Sequence, residues 1–192
     1  AVVACPQTQS SIKSAGIKFD GYPSWVARRT GTEPEDVFMM LVSDRLRIAH
    51  VTLHLGIREA LDLIDGPRVL RTLTAAKTAL QRIGIAEPRI AVSGINPHAG
   101  EDGLFGSEEA EIVTPALEKA RAVGIDAHGP FGADTMYLDK SFDAYVVMYH
   151  DQGHIPAKLV GFDGTAAFAI GTPVLFSSVA HGSALDIAGR GK

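Results

Sequence analysis

The chain has 192 residues, 46% of them hydrophobic and 21% charged, enough for one sizeable core or two small ones. Its net charge of -4 does not argue for nucleic acid or an anionic membrane, both of which would want a basic face, and no apolar run approaches the ~20 residues that span a bilayer. A single cysteine, Cys5, has no internal disulfide partner, so a reducing compartment, the cytoplasm, is the expected setting.

Short apolar runs alternate along the chain with longer amphipathic stretches. Residues 1–5 (AVVAC) read as a buried strand, without the basic lead-in of a signal peptide. Helical patterns follow over 7–16 and 23–31. The runs 37–43 (VFMMLVS) and 47–53 (RIAHVTL) flank a short turn and predict a hairpin. Helices over 57–64 and 66–84 lead to a strand at 89–94. The stretch 107–124 predicts a further helix, with Ser107 at its N-cap, glutamates in its first turn and Gly124 closing it. Strands at 144–150 and 173–179 complete the set. Strand–helix alternation predicts an α/β fold, and the hairpin makes its sheet mixed. The abrupt opening strand and the AGRGK ending predict a chain truncated at both ends.

Three histidines share one context. His54 ends RIAHVTLH, His98 follows RIAVSGINP, and His150 ends AYVVMYH. Each stands at or just past the carboxyl end of a predicted strand, the edge over which α/β sheets bind ligands. Three imidazoles gathered there form a divalent-metal site with open positions; Zn is the first choice, and Co, Ni and Fe(II) also suit. Taken singly, each fits a hydrogen-bonded core or surface histidine; the shared context is the signal, and no short spacing motif adds to it. The glycine-rich acidic segment 96–109 around His98, with Glu101 and Asp102, also fits a solvated connection. In HDQGHIPAK (150–158), helical spacing puts His150, His154 and Lys158 on one face. A lysine beside a metal binds a carboxylate or moves a proton, although Lys158 equally fits an ordinary exposed helix position. His50 shares a strand face with His54 as a supporting residue, and His128 reads as structural.

The closing string HGSALDIAGRGK is similar to the nucleotide-binding loop of the isocitrate and isopropylmalate dehydrogenase group. More specifically, VTLH, INPHAGEDGLFG, GPFGADT and MYHDQGHIPAK, in this order, resemble the 4-hydroxythreonine-4-phosphate dehydrogenase family over essentially the whole chain. Against that family the chain lacks the usual N-terminal segment and C-terminal helices. The resemblance implies two α/β domains with a mixed sheet and a cleft between them. Residues 1–19 and 182–192 would belong to a nucleotide-binding domain, and 20–181 to a metal, substrate and dimerisation domain. It also implies a homodimer with a shared active site and a divalent metal on His54, His98 and His150. NAD, or alternatively NADP, would be held in part by His181, Gly182, Ser183, Ala184, Asp186 and Gly189, where glycine admits close backbone approach.

The family's substrate motif YPGHTE reads YPSWVA here, so Trp25 and Val26 replace its His and Thr. Its Asn and Arg positions align with Ala167 and Phe176, while Lys158 is retained. A phosphate dianion calls for Arg, His and hydroxyl donors, and burying one against this apolar set is costly. The pattern is similar to the terephthalate cis-dihydrodiol dehydrogenase branch. That likeness implies NAD-dependent, metal-assisted oxidative decarboxylation of a non-phosphorylated cyclic cis-dihydrodiol carboxylate, giving protocatechuate from the terephthalate dihydrodiol. Trp25, Ala167, Phe176 and Lys158 would contact substrate, with Lys158 handling a carboxylate or proton and Asp134 and Asp151 as supporting carboxylates. One alternative keeps the fold and metal but takes 4-phosphohydroxy-L-threonine or a four-carbon sugar-acid phosphate. Another is a metal-dependent hydrolase or non-catalytic metal-binding protein, which predicts no nucleotide binding.

Overall fold

The apolar runs of strand length assemble into one mixed sheet. The computed structural model describes residues 2–4, 8–17, 19, 21–44, 46–180 and 182–191. In chain order its strands are β1 (Val2–Ala4), β2 (Phe38–Val42), β3 (Arg47–His50), β4 (Arg89–Ser93), β5 (Asp126–Phe131), β6 (Ala144–Val147), β7 (Ala166–Ile170) and β8 (Phe176–Val179). They lie side by side in the order β1-β8-β7-β2-β3-β6-β4-β5. The expected β2–β3 hairpin is present, with Met40 opposite Ala49. β3, β6, β4 and β5 run parallel. β2 is antiparallel to both its neighbours, and β8 is antiparallel to β7 and parallel to β1. The carboxyl ends of β3, β6 and β4 therefore meet at one sheet edge, while β8 and β1 point to the opposite edge. β1, assigned from sequence to a nucleotide-binding domain, is the edge strand of this same sheet.

The helices are α1 (Gln9–Ser14), α2 (Tyr22–Thr30), α3 (Ile57–Leu63), α4 (Gly66–Arg82), α5 (Thr114–Ala122) and α6 (His150–Gly161). Strand side chains alternate between two faces. Ala49, Val51 and Val146 pack with Val69, Leu73 and Leu80 of α4 and Leu117 of α5. Ile48, Tyr145 and Val147 pack on the other face with Ala157 of α6. Each such aliphatic side chain, fully buried, contributes about 1.5–3 kcal/mol. α4 starts where the Asp65 carboxylate accepts the Arg68 N–H at 2.6 Å. Its apolar residues recur at helical spacing and Gly84, at φ 98°, follows its end. Among the described residues no helix is long and apolar enough to cross a membrane.

Three local expectations are revised. The strand expected over 144–150 stops at Val147, because the N–H groups of Met148 and Tyr149 turn to the Gln152 side chain at 2.8 and 3.4 Å. Ser107 does not cap the next helix through its side chain. That helix opens instead as a wide π-helical turn, Glu109–Val113, whose Glu108 cap position makes no side-chain cap bond. β5 and β7 were not anticipated: β5 contains Gly129-Pro130, which reads as a turn, and β7 is short and alanine-rich.

Candidate functional site

Parallel pairing delivers three loops to one edge. Where the ladder ends, Val51 and Thr52 donate their N–H groups to Val147 and Met148 at 2.8 and 3.1 Å, so β3 and β6 leave the sheet in step. His54 and His150 follow within a few residues, their ring centroids 5.6 Å apart. His150 opens α6 and stacks on His154 at 3.7 Å, and His154 lies 4.8 Å from His50. The four imidazoles form a row that runs from the edge into the core, where His50 is 1% exposed. Burial lowers the pKa of His50 to about 3, with His154 adding to the effect. Burial and then His150 lower His154 to about 4, and the same two causes lower His54. Burial thus favours the neutral form of His50, His54 and His154, the form a metal requires.

The hydrogen bonds assign the ring tautomers. His150 Nδ1 donates to the Asp151 carboxylate at 2.7 Å, which leaves its Nε2 lone pair free to bind. His50 Nδ1 donates to the Met39 carbonyl at 3.3 Å, and its Nε2 is buried without a partner. Beside His54 and His150 lies a cavity of about 690 Å³, also lined by Leu53, Glu59, Tyr149 and Asp151.

His98 is carried differently. It sits in a turn after β4, Pro97–Gly100; His98 and Ala99 within it and Glu101 and Asp102 just past it all have φ between 43° and 55°, with Gly100 and Gly103 left-handed as well. Non-glycine residues resist this conformation, so something must hold them there. The anchor is Glu109. Its carboxylate accepts the N–H groups of Ile95 and Asn96, both at 2.7 Å, and the Asn96 amide at 3.0 Å. Burial would raise its pKa, but the bonds from Asn96 and Ile95 outweigh that and hold it low. The result is a projecting His98 whose side chain is 65% exposed, with Nδ1 donated to Glu101 at 2.8 Å. The Glu101 hydrogen bond raises the His98 pKa, and Asp134 adds to the rise. Among the described residues no three His, Cys, Asp or Glu groups are close enough to hold an ion. One chain therefore pairs His54 with His150 but does not add His98. His150 and His98 still fit a divalent cation chemically: each has Nδ1 engaged by a carboxylate, the arrangement that orients metal-binding imidazoles.

The other expected site residues are scattered. Lys158 lies on the exposed side of α6 one turn past His154, and its charge contributes to lowering that pKa. Asp134 is exposed near His98, and Asp151 serves His150. α2 brings Val26 into a core cluster with Phe176, which is 4% exposed and packs on Tyr22 at 5.1 Å. Trp25, 36% exposed, projects from the same helix with the Arg29 guanidinium 6.0 Å from its ring. Ala167 is buried in a different cluster, under α6. Gly182, Ser183, Ala184, Asp186 and Gly189 follow β8 and so leave from the edge opposite the histidines; His181 lies outside the described residues. This segment is a run of mostly exposed turns, left-handed at Ala184, Gly189 and Gly191. A Cβ at Gly182 or Gly189 would meet nothing within 4 Å. The positive φ of Gly189 accounts for glycine at that position, and packing among the described residues does not account for Gly182.

Sequence reasoning missed Glu109 and Gln152, the two residues that shape the loops. Both stand beside residues it did single out, in GSEE and HDQGH, but nothing in their type marks them as buried anchors.

The family model described as pyridoxal phosphate biosynthetic protein PdxA matches residues 1–192. The chain is 48% identical over 191 residues to a 1,2-dihydroxy-3,5-cyclohexadiene-1,4-dicarboxylate dehydrogenase from Comamonas sp, covering all of this chain and 61% of that relative. It is 46% identical over 195 residues to a 4-hydroxythreonine-4-phosphate dehydrogenase from Desulforapulum autotrophicum, covering all of this chain and 57% of that relative. A crystal structure of a terephthalate 1,2-cis-dihydrodiol dehydrogenase from Burkholderia xenovorans superposes with a TM-score of 0.82 at 48% identity, over 99% of this chain and 60% of that one. The chain thus spans about three fifths of the length of these relatives.

Proposed function

The chain belongs to the PdxA family, and from that premise we propose that it is part of an NAD-dependent, metal-assisted dehydrogenase acting on a non-phosphorylated cyclic cis-dihydrodiol carboxylate. The observation that carries this reading is the histidine edge: His54 and His150 lie 5.6 Å apart at the ends of adjacent parallel strands, and the His150 ring is oriented by Asp151. A homodimer completes the site in this proposal, with the projecting His98 of a second copy joining His54 and His150 as the third ligand. When bound, a divalent cation such as Zn supplies Lewis-acid polarisation of a substrate hydroxyl, and NAD or NADP supplies the hydride acceptor.

The chain's own residues then have assigned tasks. Asp151 and Glu101 keep the Nδ1 protons of His150 and His98 in place, so that the Nε2 lone pairs face outward. Lys158 receives the substrate carboxylate or a proton, with Asp134 as a supporting carboxylate. Trp25 offers a flat apolar surface to the ring; Phe176, buried beneath the same helix, is apolar rather than cationic, and Ala167 keeps its assigned place although it lies in a different cluster. Residues 182–189 and His181, with residues 1–19, form the nucleotide side. Oxidation removes a hydride and the hydroxyl proton. The resulting β-keto acid loses CO2, and the enol left behind is already a phenol, so aromatisation drives the step. The reading suits a cytoplasmic enzyme.

The second reading, a 4-phosphohydroxy-L-threonine or sugar-acid phosphate dehydrogenase, is favoured by the nearly equal 46% identity to a named relative of that activity. The deciding assay offers both substrates with NAD and a divalent cation and follows NADH and CO2. Turnover of the diol acid alone is expected. Turnover of the phosphorylated compound alone would overturn the substrate assignment. Failure of NAD to protect against heat, with hydrolysis of either compound, would favour the hydrolase reading.

A further inference from the structure

We propose that Gln152 is a positioning residue that locks the three histidine-bearing strand ends into one register. The inference builds on the reading of those histidines as functional. The backbone ladder joining β3 and β6 ends at His50 opposite Val147, and that joining β6 and β4 ends at Val92 opposite Val146. Beyond those points the β3 and β6 segments keep two backbone bonds, from Val51 and Thr52 to the Val147 and Met148 carbonyls, and the link to the β4 end passes to the Gln152 side chain. Gln152 Oε1 accepts the Met148 N–H at 2.8 Å, the Ser93 hydroxyl at 3.2 Å and the Tyr149 N–H at 3.4 Å. Its Nε2 donates to the Gly94 carbonyl at 3.0 Å. The amide orientation is fixed by these partners, since N–H donors face one atom and a carbonyl faces the other. The Met148 carbonyl, on the far side of the same residue, accepts the Thr52 hydroxyl at 2.7 Å and the Thr52 N–H at 3.1 Å. The Tyr137 hydroxyl donates to the Gln152 carbonyl at 2.7 Å and steadies the turn from behind.

The clamp therefore runs Gly94–Gln152–Met148–Thr52. Gly94 leads to His98, Met148 to His150 and Thr52 to His54. Ser93 is a buried polar group, so losing the Gln152 side chain leaves the Ser93 hydroxyl, the Gly94 carbonyl and the Met148 N–H without these bonds, and it loosens the Met148 peptide on which the buried Thr52 depends. A residue that served only to fold α6 would bond within its own turn; this one also reaches the end of β4 at Ser93 and Gly94, and meets the β3 end through Met148.

The test pairs hydrogen exchange of the metal-free protein with Co2+ titration. Gln152→Met removes every side-chain bond. It is expected to speed exchange at least about tenfold in segments 51–56, 94–100 and 147–152 while leaving α4 unchanged, and to weaken Co2+ binding by about tenfold or more. Gln152→Glu, studied with its carboxylate ionised, keeps the Oε1 acceptor and sets an oxygen against the Gly94 carbonyl. It is expected to loosen 94–100 and spare 51–56. Loosening confined to 147–155, or spread evenly over the chain, overturns the clamp. Should Gln152→Met not fold, the asymmetric pattern in Gln152→Glu decides alone. If the unsubstituted protein binds no Co2+, the metal reading fails, and the exchange pattern still judges the clamp.

Discussion

Replacing Glu109 tests whether a buried carboxylate holds the His98 loop in its left-handed course. Glu109 is 6% exposed, and its Oε1 accepts two backbone N–H groups at 2.7 Å. In Glu109→Ala both donors lose their partner inside a pocket, at about 1–3 kcal/mol each, so a loss of about 2–6 kcal/mol is expected. In Glu109→Gln the carbonyl keeps those two bonds, but the charge goes and an NH2 group faces the Asn96 amide, for a loss of about 1–2 kcal/mol. Strain works against that loss: the four non-glycine residues with positive φ each cost about 1 kcal/mol or more while held, so any that relax in the variant return that much and the figure of about 2–6 kcal/mol is an upper range. Urea unfolding measures the stability change, and hydrogen exchange over 96–106 measures the release. Equal losses in the two variants, or a loss below about 1 kcal/mol for alanine with unchanged exchange, would refute the anchor. Because its hydrogen bonds keep the Glu109 pKa low, this stabilisation is present above the ordinary glutamate range and is lost as pH falls through the depressed value.

Four other outcomes are expected. Stability should fall on acidification from about pH 6.5 towards pH 3, because unfolding lets His50 and His154 take protons that the core refuses; the His50 part corresponds to at most ~5 kcal/mol, and His50→Asn should reduce, without abolishing, that limb of a pH–urea series. Gly153→Ala should cost about 1–3 kcal/mol in urea unfolding, since its Cβ would lie 2.4 Å from His50 Nε2 and 2.9 Å from Ile48, pushing α6 off β3. Phe176→Arg, the obvious route to a phosphate site, should lose about 3 kcal/mol or more by thermal melting, because it puts a charge under Tyr22. His98→Asn should change stability by less than about 0.5 kcal/mol while abolishing Co2+ binding, since the ring is exposed and asparagine tolerates its backbone conformation.

The histidine edge was legible because each of its members follows an apolar run of strand length, and parallel pairing then fixes where such runs end. What the sequence left open was how those ends are held. Gln152 and Glu109 are polar residues in stretches that read as surface, and only tertiary packing reveals that their partners are backbone groups of other loops. The left-handed path through Ala99, Glu101 and Asp102 was hidden because these residue types argue against it, and the restraint comes from a glutamate several positions downstream. The residues expected to form an apolar substrate wall could be picked out by type, but where they would lie could not be read. Val26 and Phe176 do come together, but inside the core, while Trp25 alone stays open. The separation of His98 from the pair it was expected to join reflects a loop shaped to project outward.

The pairing of β1 with β8 sets an order of assembly during synthesis. Val2 finds its neighbour only when Phe176, about 170 residues later, has been made. At ~5–20 residues per second the ribosome needs about 10–35 s to supply that partner. Among the strands described, β1 is thus one of the last to dock, and its two valines, 48% and 76% exposed in this structure, stay available to wrong neighbours throughout that interval.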